Sequence, residues 1–156
     1  MKEYEYSFKV RDIKPFIEYC KNNGYKKVAV TTQNRVVYEN KNSEHIIARI
    51  TTKMVDGKTS TVLDFKKVGE KHKELKMSNE SLPIEIKQDN KDALLSVLEV
   101  LDFYISANND RTRYEYEKDG VLFEIDDYTN PKAQVVAIEG EKESVDAVYE
   151  IIKNLL

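Results

Sequence analysis

Short segments in which charged and apolar residues alternate recur along most of the chain, and they constrain its fold more than any other feature. Residues two apart on a strand share a face. Over residues 2–10, Tyr4, Tyr6, Phe8 and Val10 fall on one face, and Glu3, Glu5, Ser7 and Lys9 on the other. Ile46, Ala48 and Ile50 oppose Ile47, Arg49, Thr51 and Lys53, and Leu63 and Phe65 oppose Asp64 and Lys66. Further on, Arg111, Arg113 and Glu115 stand opposite Tyr114 and Tyr116, and Glu124 and Asp126 opposite Phe123 and Ile125. Glu139 opposes Val136 and Ile138, with Val135 and Ala137 on its own side. The repeated pattern is a strand with one apolar and one charged face.

The punctuation between these segments sets the topology. Asp56-Gly57 and Asp119-Gly120 are hairpin turn signals. Strands are expected over about 2–10, 25–39, 44–54, 59–67, 82–87, 104–118, 120–128 and 133–139. A helix is expected over 13–23, with Asp12 as its N-cap, Pro15 in its first turn and Gly24 past its end. Apolar stripes predict two more helices, at 90–102 after an Asp89 or Asn90 cap, and at 142–155. Residues 68–81 read as a loop with at most one short strand, and are a candidate flap. Several turns are too short for parallel crossovers. The order therefore predicts an α+β domain, 1–156, with a mainly antiparallel sheet or barrel and helices packed outside.

Composition narrows the function. Lys plus Arg number 25 against 28 Asp plus Glu, a net charge of −3. This argues against a general nucleic-acid footprint. One cysteine and two histidines leave no intrachain disulfide and no Cys/His zinc set. Cys20 reads as a packed small hydrophobe, and His45 and His72 as surface residues near loops. No apolar run approaches the roughly 18 residues of a membrane span, and Met1-Lys2-Glu3-Tyr4-Glu5 carries no apolar signal region. The expectation is a cytoplasmic protein without a membrane partner.

The charged faces have two dispositions. An antiparallel sheet with one solvated face shows the same pattern, and its charges then contribute little. Alternatively the sheet closes with its charged faces inward and its apolar faces outward beneath the helices. Enclosed charges are costly unless they are paired or bind ions. A lumen of arginines and lysines around a few carboxylates suits a polyphosphate with a divalent cation.

These segments carry a family resemblance. Glu3-x-Glu5-x-Ser7 resembles the ExExK opening of the CYTH domains, the triphosphate tunnel metalloenzyme superfamily that includes class IV adenylate cyclases and thiamine triphosphatases. Ala48-Arg49-Ile50 looks like its RxR-type strand, Leu63-Asp64-Phe65-Lys66 like its lysine-ending strand, and Arg111-Thr112-Arg113 like a later basic strand. Phe123-Glu124-Ile125-Asp126 and Ala137-Ile138-Glu139-Gly140 resemble its acidic C-terminal strands. The matches run in family order over about 3–140.

The resemblance implies an antiparallel eight-stranded closed or nearly closed β-barrel, a triphosphate tunnel with helices packed outside. Carried over by position, Glu3, Glu5 and Glu139 are expected to ligate Mg²⁺ or Mn²⁺, with Glu5 and Asp126 as catalytic carboxylates. Arg49, Lys66, Arg111 and Arg113 are expected to hold phosphates, with Lys9, Arg35 and Lys53 as further candidates. Three departures stand out. Ser7 replaces the motif lysine, and Lys9 follows about 7 Å further along the strand. Thr51 replaces the second arginine of RxR, and Ala137 replaces the first acid of the C-terminal ExE pair. The implied function is metal-dependent hydrolysis of inorganic triphosphate, thiamine triphosphate or a nucleoside triphosphate. The alternatives are cyclisation of ATP to cyclic AMP and a non-catalytic binding module for a triphosphate, a nucleotide or a nucleic-acid 5′-triphosphate end. An apolar edge on the final helix would leave room for a homodimer.

Overall fold

The structure is a computed structural model that describes residues 2–72 and 74–156. Its strands are β1 (Lys2–Val10), β2 (Lys26–Asn40), β3 (Ser43–Val55), β4 (Lys58–His72), β5 (Leu75–Glu80), β6 (Ile84–Glu85), β7 (Phe103–Lys118), β8 (Val121–Asn130) and β9 (Lys132–Gly140). Three helices interleave with them: α1 (Lys14–Asn22), α2 (Lys91–Val100) and α3 (Lys142–Ile152), the last ending in a 3₁₀ turn. Every strand pairing is antiparallel, in the order β3-β2-β7-β8-β9-β1-β5-β4. The β3–β4 pairing closes this ribbon into an eight-stranded barrel, and the two-residue β6 pairs beside β4.

Closure settles where the charged faces go. The largest apolar cluster lies outside the barrel, where Phe16 and Cys20 of α1 and Val145 and Ile152 of α3 pack on Tyr6, Phe123, Ile125, Val136 and Ile138. A second forms where Leu98 of α2 meets Ala48 and Leu63. The buried polar residues, among them Gln33, Arg49, Arg111, Arg113 and Asp126, belong to the opposite strand faces. The solvated-sheet disposition is thereby overturned: the apolar faces take the helices, so the charged faces turn inward. Cys20 is fully buried, and burial pushes its thiol up to about 12, the behaviour of a packing residue.

Most elements fall where the alternation and turn signals put them. Asp56-Gly57 and Asp119-Gly120 take positive φ at all four residues, as a two-residue antiparallel connection requires. The segment 68–81 differs. Apart from Lys73, which lies outside the described residues, it holds the end of β4 and all of β5, and β5 pairs with both β4 and β1. This segment completes the barrel wall and is not a flap. Its alternation is obscured by a register shift between Val68 and Lys71. The strand expected over 82–87 shrinks to Ile84–Glu85. The N-cap of α1 is Ile13, while Asp12 accepts a hydrogen bond from Lys14 N at 3.0 Å.

Gly140 locks the end of β9. Its φ is +154°, and a Cβ there would lie 2.5 Å from the Gly120 carbonyl oxygen. The β7–β8 turn therefore packs directly on the residue after Glu139. His45 and His72 are exposed, as are Ile151, Leu155 and Leu156 at the C-terminal end. Among the described residues, no helix is long and apolar enough to cross a membrane.

Candidate active site in the barrel lumen

The lumen is a cavity of about 300 Å³ lined by six basic and six acidic side chains. The bases are Arg35, Arg49, Lys53, Lys66, Arg111 and Arg113, and the acids are Glu5, Asp64, Glu80, Glu124, Asp126 and Glu139. Every one of the eight barrel strands supplies at least one arginine or carboxylate to this set, β5 through Glu80. Strand register sets their order. Glu5 faces Glu139 across β1–β9, Arg113 faces Asp126 across β7–β8, and Arg49 faces Asp64 across β3–β4.

Two arginines are held by carboxylates. Arg113 donates through Nε and Nη2 to the two oxygens of Asp126, at 2.8 and 2.9 Å, and also contacts Glu124. Arg49 makes the same fork to Asp64, at 3.0 and 2.6 Å, and reaches Glu80 at 3.1 Å. Such bidentate pairs are the geometry in which an enclosed guanidinium is stable. Burial alone would lower both guanidinium pKa values, but the carboxylates override it and raise them.

The other two arginines rest on neutral oxygens. Arg111 donates to Gln33 Oε1 from Nε and Nη2, at 3.0 and 2.8 Å, and to the Tyr128 hydroxyl at 2.9 Å. Its nearest carboxylate contact is Asp126 at 3.5 Å, and Arg113 already clamps that group. Arg35 donates to Thr51 Oγ1 at 2.9 Å. Burial, then the neighbouring Arg111, Arg49 and Arg113, pull the Arg35 guanidinium down to about 9. This region of the lumen is short of negative charge.

The opposite imbalance surrounds Glu139. One carboxylate oxygen from each of Glu5, Glu124 and Glu139 lies within 4.8 Å of the others. Burial, followed by Glu124, Glu3, Glu5 and Glu80, pushes the Glu139 carboxyl up to about 9. Burial and Glu80 similarly push Glu3 up to about 7. Crowded carboxylates of this kind, open to phosphate oxygens and water, fit a hard divalent cation. They also have a consequence for the metal-free protein. A carboxyl with a raised folded pKa keeps its proton in the native state after the unfolded chain has lost it, so stability falls as pH rises. For Glu139 this decline spans about pH 4.5 to 9. Urea melts in EDTA across that range are expected to lose stability with pH, and Glu139→Gln is expected to flatten the slope.

Most of the residues singled out from the sequence meet in this lumen: Glu5, Arg35, Arg49, Lys53, Lys66, Arg111, Arg113, Asp126 and Glu139. Glu3 instead lines an adjoining cavity of about 650 Å³ that shares Glu139. Lys9 is exposed and is not among the residues lining the lumen, although its cross-strand partner Val135 is. The three-carboxylate group contains Glu124 where the family pattern pointed to Glu3. Sequence reasoning also missed Gln33, Glu80 and Tyr128. Glu80 sits in the segment read as a loop. Gln33 shares its face with Thr31 and Arg35, but shifts at Lys27/Ala29 and Val37/Tyr38 break the period of β2.

The PH1012 protein from Pyrococcus horikoshii OT3 aligns at 19% identity with a TM-score of 0.76, over 98% of this chain and 89% of that one. HpAC1 from Hippeastrum, described as an adenylyl cyclase candidate with a dominant triphosphatase activity, aligns at 15% with a TM-score of 0.65, over 97% and 87%. The likeness shows a shared fold, a closed eight-stranded antiparallel barrel with helices outside. A chain of the Schizosaccharomyces pombe Mediator head module also shares the architecture, at 10% identity and a TM-score of 0.72, over 99% and 96%. No family model and no curated protein sequence matches. At these identities the likeness establishes the barrel fold alone, and the chemistry of the lumen must come from its own residues.

Proposed function

We propose that this protein binds a triphosphate in its tunnel and hydrolyses it with the help of Mg²⁺ or Mn²⁺. The observation that carries this reading is the polarity of the lumen. Carboxylates crowd at Glu5, Glu124 and Glu139, while among the described residues Arg35 and Arg111 donate their hydrogen bonds to neutral oxygens, with Asp126 3.5 Å from Arg111. A polyphosphate with a divalent cation complements both regions at once.

The residues divide the work as follows. Arg35, Arg111, Lys53 and Lys66 hold phosphate oxygens. Asp126 and Asp64 keep Arg113 and Arg49 in place along the chain of phosphates. Glu5, Glu124 and Glu139 hold the cation, with Glu3 at the adjoining rim. A bound divalent cation offsets phosphate charge and lowers the pKa of a water. Both Asp126 oxygens are occupied by Arg113, so Glu5 is the better carboxylate to orient the attacking water. An oxygen–phosphorus bond forms from that water, the bridging oxygen–phosphorus bond to the rest of the chain breaks, and the water's proton passes to solvent. Positioning and charge stabilisation supply most of the rate in such transfers.

A specific observation favours a second reading, a tunnel that binds without turnover. Ala137 lies opposite both Ser7 and Glu124, so an acid and a base of the family pattern are missing at adjacent places. Product analysis with inorganic triphosphate, thiamine triphosphate and ATP, each with Mg²⁺, Mn²⁺ or EDTA, separates these readings. Metal-dependent phosphate release is expected. Cyclic AMP would assign a cyclase. A raised melting temperature with no product would assign the binding module, and no response to any triphosphate would overturn the tunnel reading.

A further inference from the structure

Gln33 makes no ion pair, yet it is the residue on which the most deeply enclosed guanidinium rests. It is 2% exposed, and Arg111 is 4% exposed. Its carbonyl oxygen accepts both the Nε and Nη2 hydrogens of Arg111, and its amide nitrogen donates to Thr31 Oγ1 at 2.8 Å. A guanidinium offers only donors, so the carbonyl must face Arg111. Glutamate at position 33 would form the same fork with equal reach and a stronger, charge-assisted bond. The lumen uses that solution for Arg49 and Arg113 but not here.

We infer that Gln33 is a positioning residue that fixes Arg111 in the tunnel while leaving its charge free for a phosphate. The inference rests on the reading of the tunnel as a polyphosphate site and adds how that site keeps an attractive charge. Two fixed neighbours of Arg113 and Arg49 are anions, and those arginines are largely neutralised before any ligand arrives. Arg111 is oriented as firmly, by a neutral amide, and its nearest carboxylate, Asp126 at 3.5 Å, is already forked by Arg113. Arg35 on Thr51 repeats the arrangement with a hydroxyl. The tunnel thus holds two kinds of arginine along its ligand, those already forked by carboxylates and those held by neutral oxygens.

The test is calorimetric titration with inorganic tripolyphosphate, alongside melting of the ligand-free protein, for the wild type and Gln33→Glu. Gln33→Glu preserves size and both hydrogen bonds from Arg111, and toward Thr31 it accepts from the hydroxyl in place of donating to it. A purely structural role predicts that it binds as the wild type does. The expected result is a ligand-free protein at least as stable as the wild type, with affinity lower by roughly tenfold or more. Its salt dependence should also be shallower, because one cation has been neutralised. A second arm does not depend on that variant folding. In a cycle of Gln33→Met and Arg111→Met, the losses in affinity should be strongly non-additive, since both act through one guanidinium. Wild-type affinity in Gln33→Glu, or additive losses in the cycle, would overturn the inference alone. Failure of the wild type to bind tripolyphosphate would overturn the tunnel reading and this inference with it.

Discussion

Glu5→Gln is expected to lower triphosphate turnover by roughly 10²–10³-fold, the scale on which single charge-stabilising groups act, while leaving the metal-free protein as stable as the wild type or more so. The two effects have opposite signs for one reason. Glu5 belongs to the group with Glu124 and Glu139, and its charge helps push the Glu139 carboxyl up. Without a cation that charge is a repulsion inside the barrel, and an amide of the same shape relieves it. With a cation and a triphosphate bound, the same charge is a ligand and orients water. Phosphate release measured against Mg²⁺ concentration, with melting in EDTA, reads both. Near-normal turnover in Glu5→Gln would remove the site proposed here, and lost turnover with a collapsed melting temperature would make Glu5 a structural residue.

Arg113→Ala is expected to have the largest effect on stability, about 3–5 kcal/mol, because it leaves Asp126 as a buried carboxylate without its fork. Asp126 is 3% exposed, and Arg113 engages both of its oxygens as well as Glu124. The remaining contact from Arg111, at 3.5 Å, is a poor replacement. Much of the cost is that of an orphaned charge. The double variant Arg113→Met with Asp126→Leu should therefore recover most of the stability, since well-packed apolar groups often substitute for an enclosed ion pair without loss. It should not recover tripolyphosphate binding or turnover. Urea denaturation and calorimetry of the single and double variants check the two halves. Recovered binding in the double variant would mean that this pair contributes only to the wall.

These contrasts depend on how differently sequence and tertiary structure constrain a barrel. Period-two alternation alone separates the two faces of β1, β3, β4, β7, β8 and β9, because each side chain must project opposite to its neighbour. That is why Glu5, Arg49, Lys66, Arg113, Asp126 and Glu139 were legible as members of a charged face. The Asp-Gly turns place the hairpins through their positive φ. Where register slips, alternation fails. The shifts within β2 hid Gln33, and the shift at Val68/Lys71 hid Glu80.

The sequence by itself determined the alternating faces, the hairpins, the three helices and many of the charged residues that meet in the lumen. Tertiary structure decided which side of the sheet is enclosed, because closure depends on the β3–β4 pairing and on helices claiming the apolar side. It also decided the division among the arginines. Whether a guanidinium meets Asp64, Asp126, Gln33 or Thr51 is a matter of cross-strand register and distances of about 3 Å, and residues far apart in the chain share those distances only once the barrel has closed.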